Sequence, residues 1–132
     1  MTERDPTTAE IAAGLPGTGE IMASVGRCYA ACWHAAHGGN WDLAAYFLRR
    51  VRGLQRRLMT LRAKYREQLT AFERDCLEPL FAAIDARDLL RFDRLYERGV
   101  AEANRYHVLN DKPYIRWKRP DRPPEDLDLG SG

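Results

Sequence analysis

The sequence predicts an all-α fold, an antiparallel up-down-up-down four-helix bundle with an extended C-terminal tail. Three observations predict it. Apolar residues recur at helical spacing in four segments, each bounded by a capping or breaking residue. The breaks between segments are short, which makes consecutive helices antiparallel neighbours. No segment alternates with period two as a half-buried strand would, and there is no internal repeat. The chain has 132 residues, 45% of them hydrophobic, enough for one domain with a core that needs no disulfides.

Residues 1–17 carry breaks at Pro6, Gly14, Pro16 and Gly17 and are expected to form a flexible N-terminal arm. Thr18 is expected to cap the first helix, with Glu20 favourable in its first turn. That helix runs to about His37, where Gly38 and Gly39 stop it. Asn40 caps the second helix. In it Phe47, Val51, Leu54, Leu58, Leu61 and Tyr65 repeat at 4-3-4-3-4, a heptad-like seam. A third helix over about 67–86 carries Leu69, Phe72, Cys76, Leu80 and Ile84, and Pro79 is expected to kink it. Asp88 caps the fourth, which runs to about Leu109 and ends at "NDKP". The bundle is therefore assigned to 18–110. Residues 111–132 are too Pro-rich for helix and are expected to pack as an extended tail, anchored by Tyr114, Ile115 and Trp117.

The formal net charge of +2 gives no electrostatic footprint for nucleic acid or membrane. Eight basic residues and no acid lie between Arg49 and Arg66, but no aromatic interleaving or binding motif accompanies them. Acids on the third and fourth helices are expected to pair with them, so no nucleic-acid partner is expected. No apolar run approaches the roughly 20 residues of a membrane span. The three cysteines form no CxxC, and Cys28 and Cys32 are expected to be apolar fillers in a reduced, cytoplasmic protein. The polar, acidic start is no secretory signal.

Helical phase sorts the three histidines. Ile21, Met22, Val25, Tyr29, Cys32, Trp33 and Ala36 share the core arc of the first helix, and His34 lies opposite. The core arc of the fourth holds Phe92, Leu95, Tyr96, Gly99, Val100, Ala103, Tyr106 and His107. Topology puts His107 level with Met22 and Val25, on the order of 15–20 Å from His34 and His37 at 1.5 Å per residue. No ExxH pair exists, so no metal site is expected. Gly99 and Ala103, one turn apart and inward, leave room for a ligand or a neighbouring aromatic ring.

The stretches "GEIMASVGR", "NWDLAAYFLRRV" and "FDRLYERGVAEANRYH…YIRWKRP" resemble a bacterial four-helix-bundle family related to cytochrome c-prime, over about residues 19–120. In those cytochromes the last helix ends in a Cys-x-x-Cys-His haem motif. Its positions fall here on Ala103, Tyr106 and His107, so both thiols are gone and covalent haem attachment is ruled out at this site. The resemblance implies a haem-free variant with no cofactor, Met22 opposite the old haem face, and the cavity either filled or reused. It also implies a homodimer through the outer face of the first helix, at Ala23, Arg27, Ala30, Ala31 and His34.

The expected function is small-molecule binding in that cavity. Its wall would be Met22, Val25, Tyr29, Leu58, Gly99, Ala103, Tyr106 and His107, with Trp117 as lid or hydrophobic clasp. No GxSxG, P-loop or GxGxxG is present. A catalytic version would be an isomerase or lyase with His107 and Tyr106 as acid and base. Against this, His107 can be a core histidine bonded to a carbonyl, and Tyr106 a packed aromatic. Asn104 and Arg105 turn off the core arc and are expected to be caps or tail contacts. The alternative function is a non-catalytic dimerising scaffold or partner subunit. A third reading keeps haem non-covalently on His107.

Overall fold

The computed structural model describes residues 5–14 and 17–129, the side chains at 12–14 excepted. The fold is all-α, with no strand among the described residues. Its helices are α1 (Thr8–Gly14), α2 (Thr18–His37), α3 (Trp41–Leu61), α4 (Arg66–Phe72), α5 (Glu78–Asp85) and α6 (Leu89–Leu109). Within the expected N-terminal arm, α1 is a short helix whose described side chains are exposed. Pro16 and residues 1–4, 15 and 130–132 of the expected arm and tail lie outside the described residues.

Two of the three expected caps form. The Asn40 side chain accepts from the Leu43 N–H at 3.2 Å, and Asp88 from the Arg91 N–H at 3.1 Å. Thr18 does not cap α2. Gly17 takes the capping position in extended backbone with no side-chain bond, and Thr18 becomes the first helical residue.

The third helical segment is not simply kinked at Pro79. A single π-helical stretch, Glu73–Leu77, joins α4 to α5, and the Glu78 N–H reaches back to the Glu73 carbonyl. Pro79 then sits in the first turn of α5, where a missing N–H costs little.

Side-chain pairs give the relative sense of the helices. Tyr29 meets Tyr96 and His37 meets Asp93, so α2 and α6 run in opposite senses. Arg56 pairs with Glu73 and Arg52 covers the Phe81 ring, so α3 opposes the α4–α5 rod. Phe72 meets Tyr106 and Gln68 meets Asn110, which sets α4 against α6 in the same way. Ala31, Ala35, Ala36 and Ala44 are all buried where α2 turns back into α3, and small residues let the two backbones approach closely. The core runs through Val25, Tyr29, Leu48, Val51, Leu77, Leu80 and Phe92, each 2% exposed or less.

The tail is extended and follows α2. The Trp117 ring stacks on Tyr29 with centroids 5.3 Å apart. Arg119 then lies over Trp33, the Arg122 backbone lies against His34, and the Leu129 carbonyl presses on Gly38. Trp117 and the buried Leu129 anchor the tail. Tyr114 does not, being 77% exposed. The C-terminal part of the alanine face expected to carry a homodimer is thereby covered, while Ala23 and Arg27 are exposed. Ala31 is buried within the chain, Ala30 lies beside Trp117 and Pro120, and His34 lies under Arg122.

Candidate functional site

Gly99 explains why part of the expected cavity is filled. A β-carbon there would stand 3.1 Å from Tyr29 Cζ and closer still to its hydroxyl. The Tyr29 hydroxyl uses that space to donate to the Tyr96 carbonyl at 3.0 Å, and the Tyr96 hydroxyl donates to the Tyr29 carbonyl at 3.2 Å. The two rings stack at 4.2 Å. Burial pushes both phenols up, so they remain protonated donors. This reciprocal clasp ties α2 to α6 and closes the core at the level of Val25.

Beyond the clasp, toward the start of α2 and the end of α6, a cavity of about 450 Å³ remains. Its buried floor is Gln55, Leu58, Leu69, Phe72 and Ala103. Met22, Tyr106, His107 and Trp117 are half-buried walls, and Gly19, Ala23, Arg27 and Lys112 are at or near the rim. Six of the nine residues assigned from sequence are therefore gathered around it: Met22, Leu58, Ala103, Tyr106, His107 and Trp117. Val25, Tyr29 and Gly99 do not line it; they belong to the packed core above.

Tyr106 and His107 are walls of the cavity rather than core residues. The His107 ring is held on two sides. Its Nδ1 lies 3.0 Å from the Ile115 carbonyl, and its ring meets Trp117 edge-on at 5.9 Å. A carbonyl only accepts, so Nδ1 carries the proton and Nε2 of the neutral ring keeps a lone pair. Burial lowers the His107 pKa, the Ile115 bond raises it less, and Lys112 lowers it further. Burial raises the Tyr106 phenol, with the Arg105 cation opposing; Arg105 lies over the Tyr106 ring at 4.7 Å. At neutral pH the wall thus presents an uncharged imidazole and a protonated phenol.

Asn104 is a tail contact, as its phase suggests. Its Oδ1 accepts from the Trp117 N–H at 2.6 Å, and its Nδ2 donates to the Trp117 carbonyl at 2.9 Å. The tail wall of the cavity is fixed by this pair and by His107.

Gln55 escaped sequence reading. It is 2% exposed, lines the cavity, and its Oε1 has no hydrogen-bond partner. The apolar seam drawn from the sequence ran through Leu54 and Leu61, both only half-buried. The buried stripe of α3 is Ala44, Phe47, Leu48, Val51, Gln55 and Leu58. A glutamine at 3-4 spacing between Val51 and Leu58 was the available signal.

Among the described residues no three His, Cys, Asp or Glu side chains group to hold a metal, and no helix is long and apolar enough to cross a membrane. Cys32 and Cys76 are buried, and burial pushes the Cys76 thiol up to about 11. No family model, curated protein or solved structure matches the chain.

Proposed function

We propose that the helices form an up-down-up-down four-helix bundle whose end cavity binds a small, largely apolar molecule. The carrying observation is the buried Gln55 carboxamide, which lines an apolar cavity of ligand size with its oxygen unpartnered. Buried polar atoms are nearly always satisfied, so a hydroxyl or N–H from a ligand or an ordered water belongs at that floor. The volume falls within the usual range for small-molecule sites.

The resemblance to cytochrome c-prime-like bundles supports the same reading. The position of the missing thiols, Ala103 and Tyr106, lies on the cavity wall next to His107. The cavity then stands where haem would have been held. His107 and Tyr106 suit proton transfer, with Nε2 taking a proton from a bound carbon acid and the phenol supplying one to an adjacent oxygen. A lowered imidazole pKa keeps the base free at neutral pH, and a raised phenol pKa keeps the donor loaded. The reading of non-covalent haem uses the same Nε2 lone pair, with the Ile115 carbonyl orienting the ring.

The test is saturable binding of the neutral dye N-phenyl-1-naphthylamine, one molecule per chain, by fluorescence. Ala103→Phe should remove binding with the fold retained by circular dichroism, and Gln55→Leu gives a second, apolar probe of the floor. Failure of the dye to bind wild type would overturn the cavity reading. A Soret band on adding haemin, lost in His107→Ala, would favour haem instead.

A further inference from the structure

The cavity is electrically one-sided. Its lining contains two cations, Arg27 and Lys112, and no aspartate or glutamate. Arg27 donates only to the Ser24 hydroxyl, at 3.0 Å, and among the described residues no carboxylate lies within ion-pair distance of Arg27 or of Lys112. The acids nearest in sequence, Glu20 and Asp111, do not line the cavity. The first turn of α2 contributes Thr18 and Gly19 to the same rim and has no side-chain cap, so its free N–H groups add to the positive end of the helix. Some basic side chains elsewhere are matched by acids, as Arg56 is by Glu73 and Arg105 by Glu102, whereas no acid lines this cavity. The rim is thus positive, the wall below it apolar, and the floor carries one hydrogen-bonding carboxamide.

Resting on the cavity reading above, we propose that the ligand is an amphipathic carboxylic acid, with its carboxylate at the Arg27–Lys112 rim and its apolar body against Met22, Leu58, Leu69 and Phe72. A purely apolar site prefers the uncharged member of any matched pair, because burying a carboxylate is costly. Two unpaired cations at the mouth reverse that preference while leaving the carboxylate partly hydrated. The neutral His107 takes no part in the charge balance.

The experiment displaces bound N-phenyl-1-naphthylamine from the full chain with dodecanoate or with dodecan-1-ol, at pH 7.5 and low salt. Dodecanoate should displace the dye at a concentration roughly five- to tenfold lower than the alcohol, the scale of two exposed ion pairs. The advantage should shrink in 0.5 M NaCl and vanish in Arg27→Ala/Lys112→Ala, with the two displacing concentrations compared within that variant at its own measured dye affinity. Equal displacement, a preference for the alcohol, or an advantage that persists in the double variant would overturn the anionic assignment and leave the cavity standing. Failure of the dye to bind wild type removes the cavity reading and this inference with it.

Discussion

Gly99 and Gln55 mark the two sides of the boundary between packed core and cavity, and each is testable alone. Gly99→Ala drives a β-carbon into the Tyr29 hydroxyl, which is itself bonded to the Tyr96 carbonyl. The hydroxyl cannot move without losing that bond in a buried setting. The expected cost is about 1–3 kcal/mol, the range for overpacking a tight core. Chemical denaturation checks it, and Gly99→Ala/Tyr29→Phe should recover part of the loss by removing the clashing oxygen. Gln55→Leu should act in the opposite direction. It replaces an unpartnered buried amide by an apolar side chain of similar size, so the ligand-free protein should gain about 1 kcal/mol or more. A destabilised Gln55→Leu would show that the carboxamide is satisfied within the protein and has no call on a ligand.

At the scale of elements, α6 and the tail behave as one unit, and Asn104 is the joint. Its carboxamide makes two hydrogen bonds to the Trp117 backbone, while Trp117 covers Tyr29 and His107. Asn104→Ala leaves both Trp117 groups without partners and should cost about 1–3 kcal/mol. Limited trypsin digestion should then cut after Arg116 or Lys118 faster than in wild type, with α2 and α3 protected as before. The helices themselves were legible because their apolar spacing is strong, and Asn40 and Asp88 announce two starts. The ends expected near His37, 86 and Leu109 also lie within a residue of those observed, though their chemistry differs. α2, α5 and α6 are each followed by a residue of positive φ: Gly39 at 77°, Arg87 at 53° and Asp111 at 61°. Only the first is a glycine; "NDKP" announced the end of α6 instead, and the break at Arg87 had no glycine or proline to mark it. The π-helical stretch has no letter of its own either. Pro79 signals trouble, and the structure resolves it by adding a residue to one turn upstream rather than by bending at the proline.

Across the whole molecule, the sequence expected a cavity at the end of the helices where the structure has one, and misjudged its depth. Helical phase assigns a face, but side-chain volume decides which level of that face is filled. Tyr29 turning into Gly99 filled the upper level and left the lower one, with Gln55 as its floor, open. The same partial burial makes the stability of the fold depend on pH. His34 and His107 both have lowered pKa values, chiefly by desolvation, and each faces the tail backbone, at Arg122 and Ile115 respectively. The Nε2 of His34 is in addition buried without a partner. In the unfolded chain a histidine titrates near about 6.5. As pH falls through that value the unfolded chain takes up protons before the folded one does. Stability therefore rises with pH in this window and is lost as pH drops toward the folded pKa values. The melting temperature should fall between pH 7.5 and 5.5. His34→Gln/His107→Gln keeps an N–H donor for each carbonyl but cannot gain charge, so its melting temperature should fall less over the same range. The His37–Asp93 pair is common to both proteins and cancels in the comparison. A double variant that loses as much as wild type would show that the two rings do not control the acid side of the stability curve.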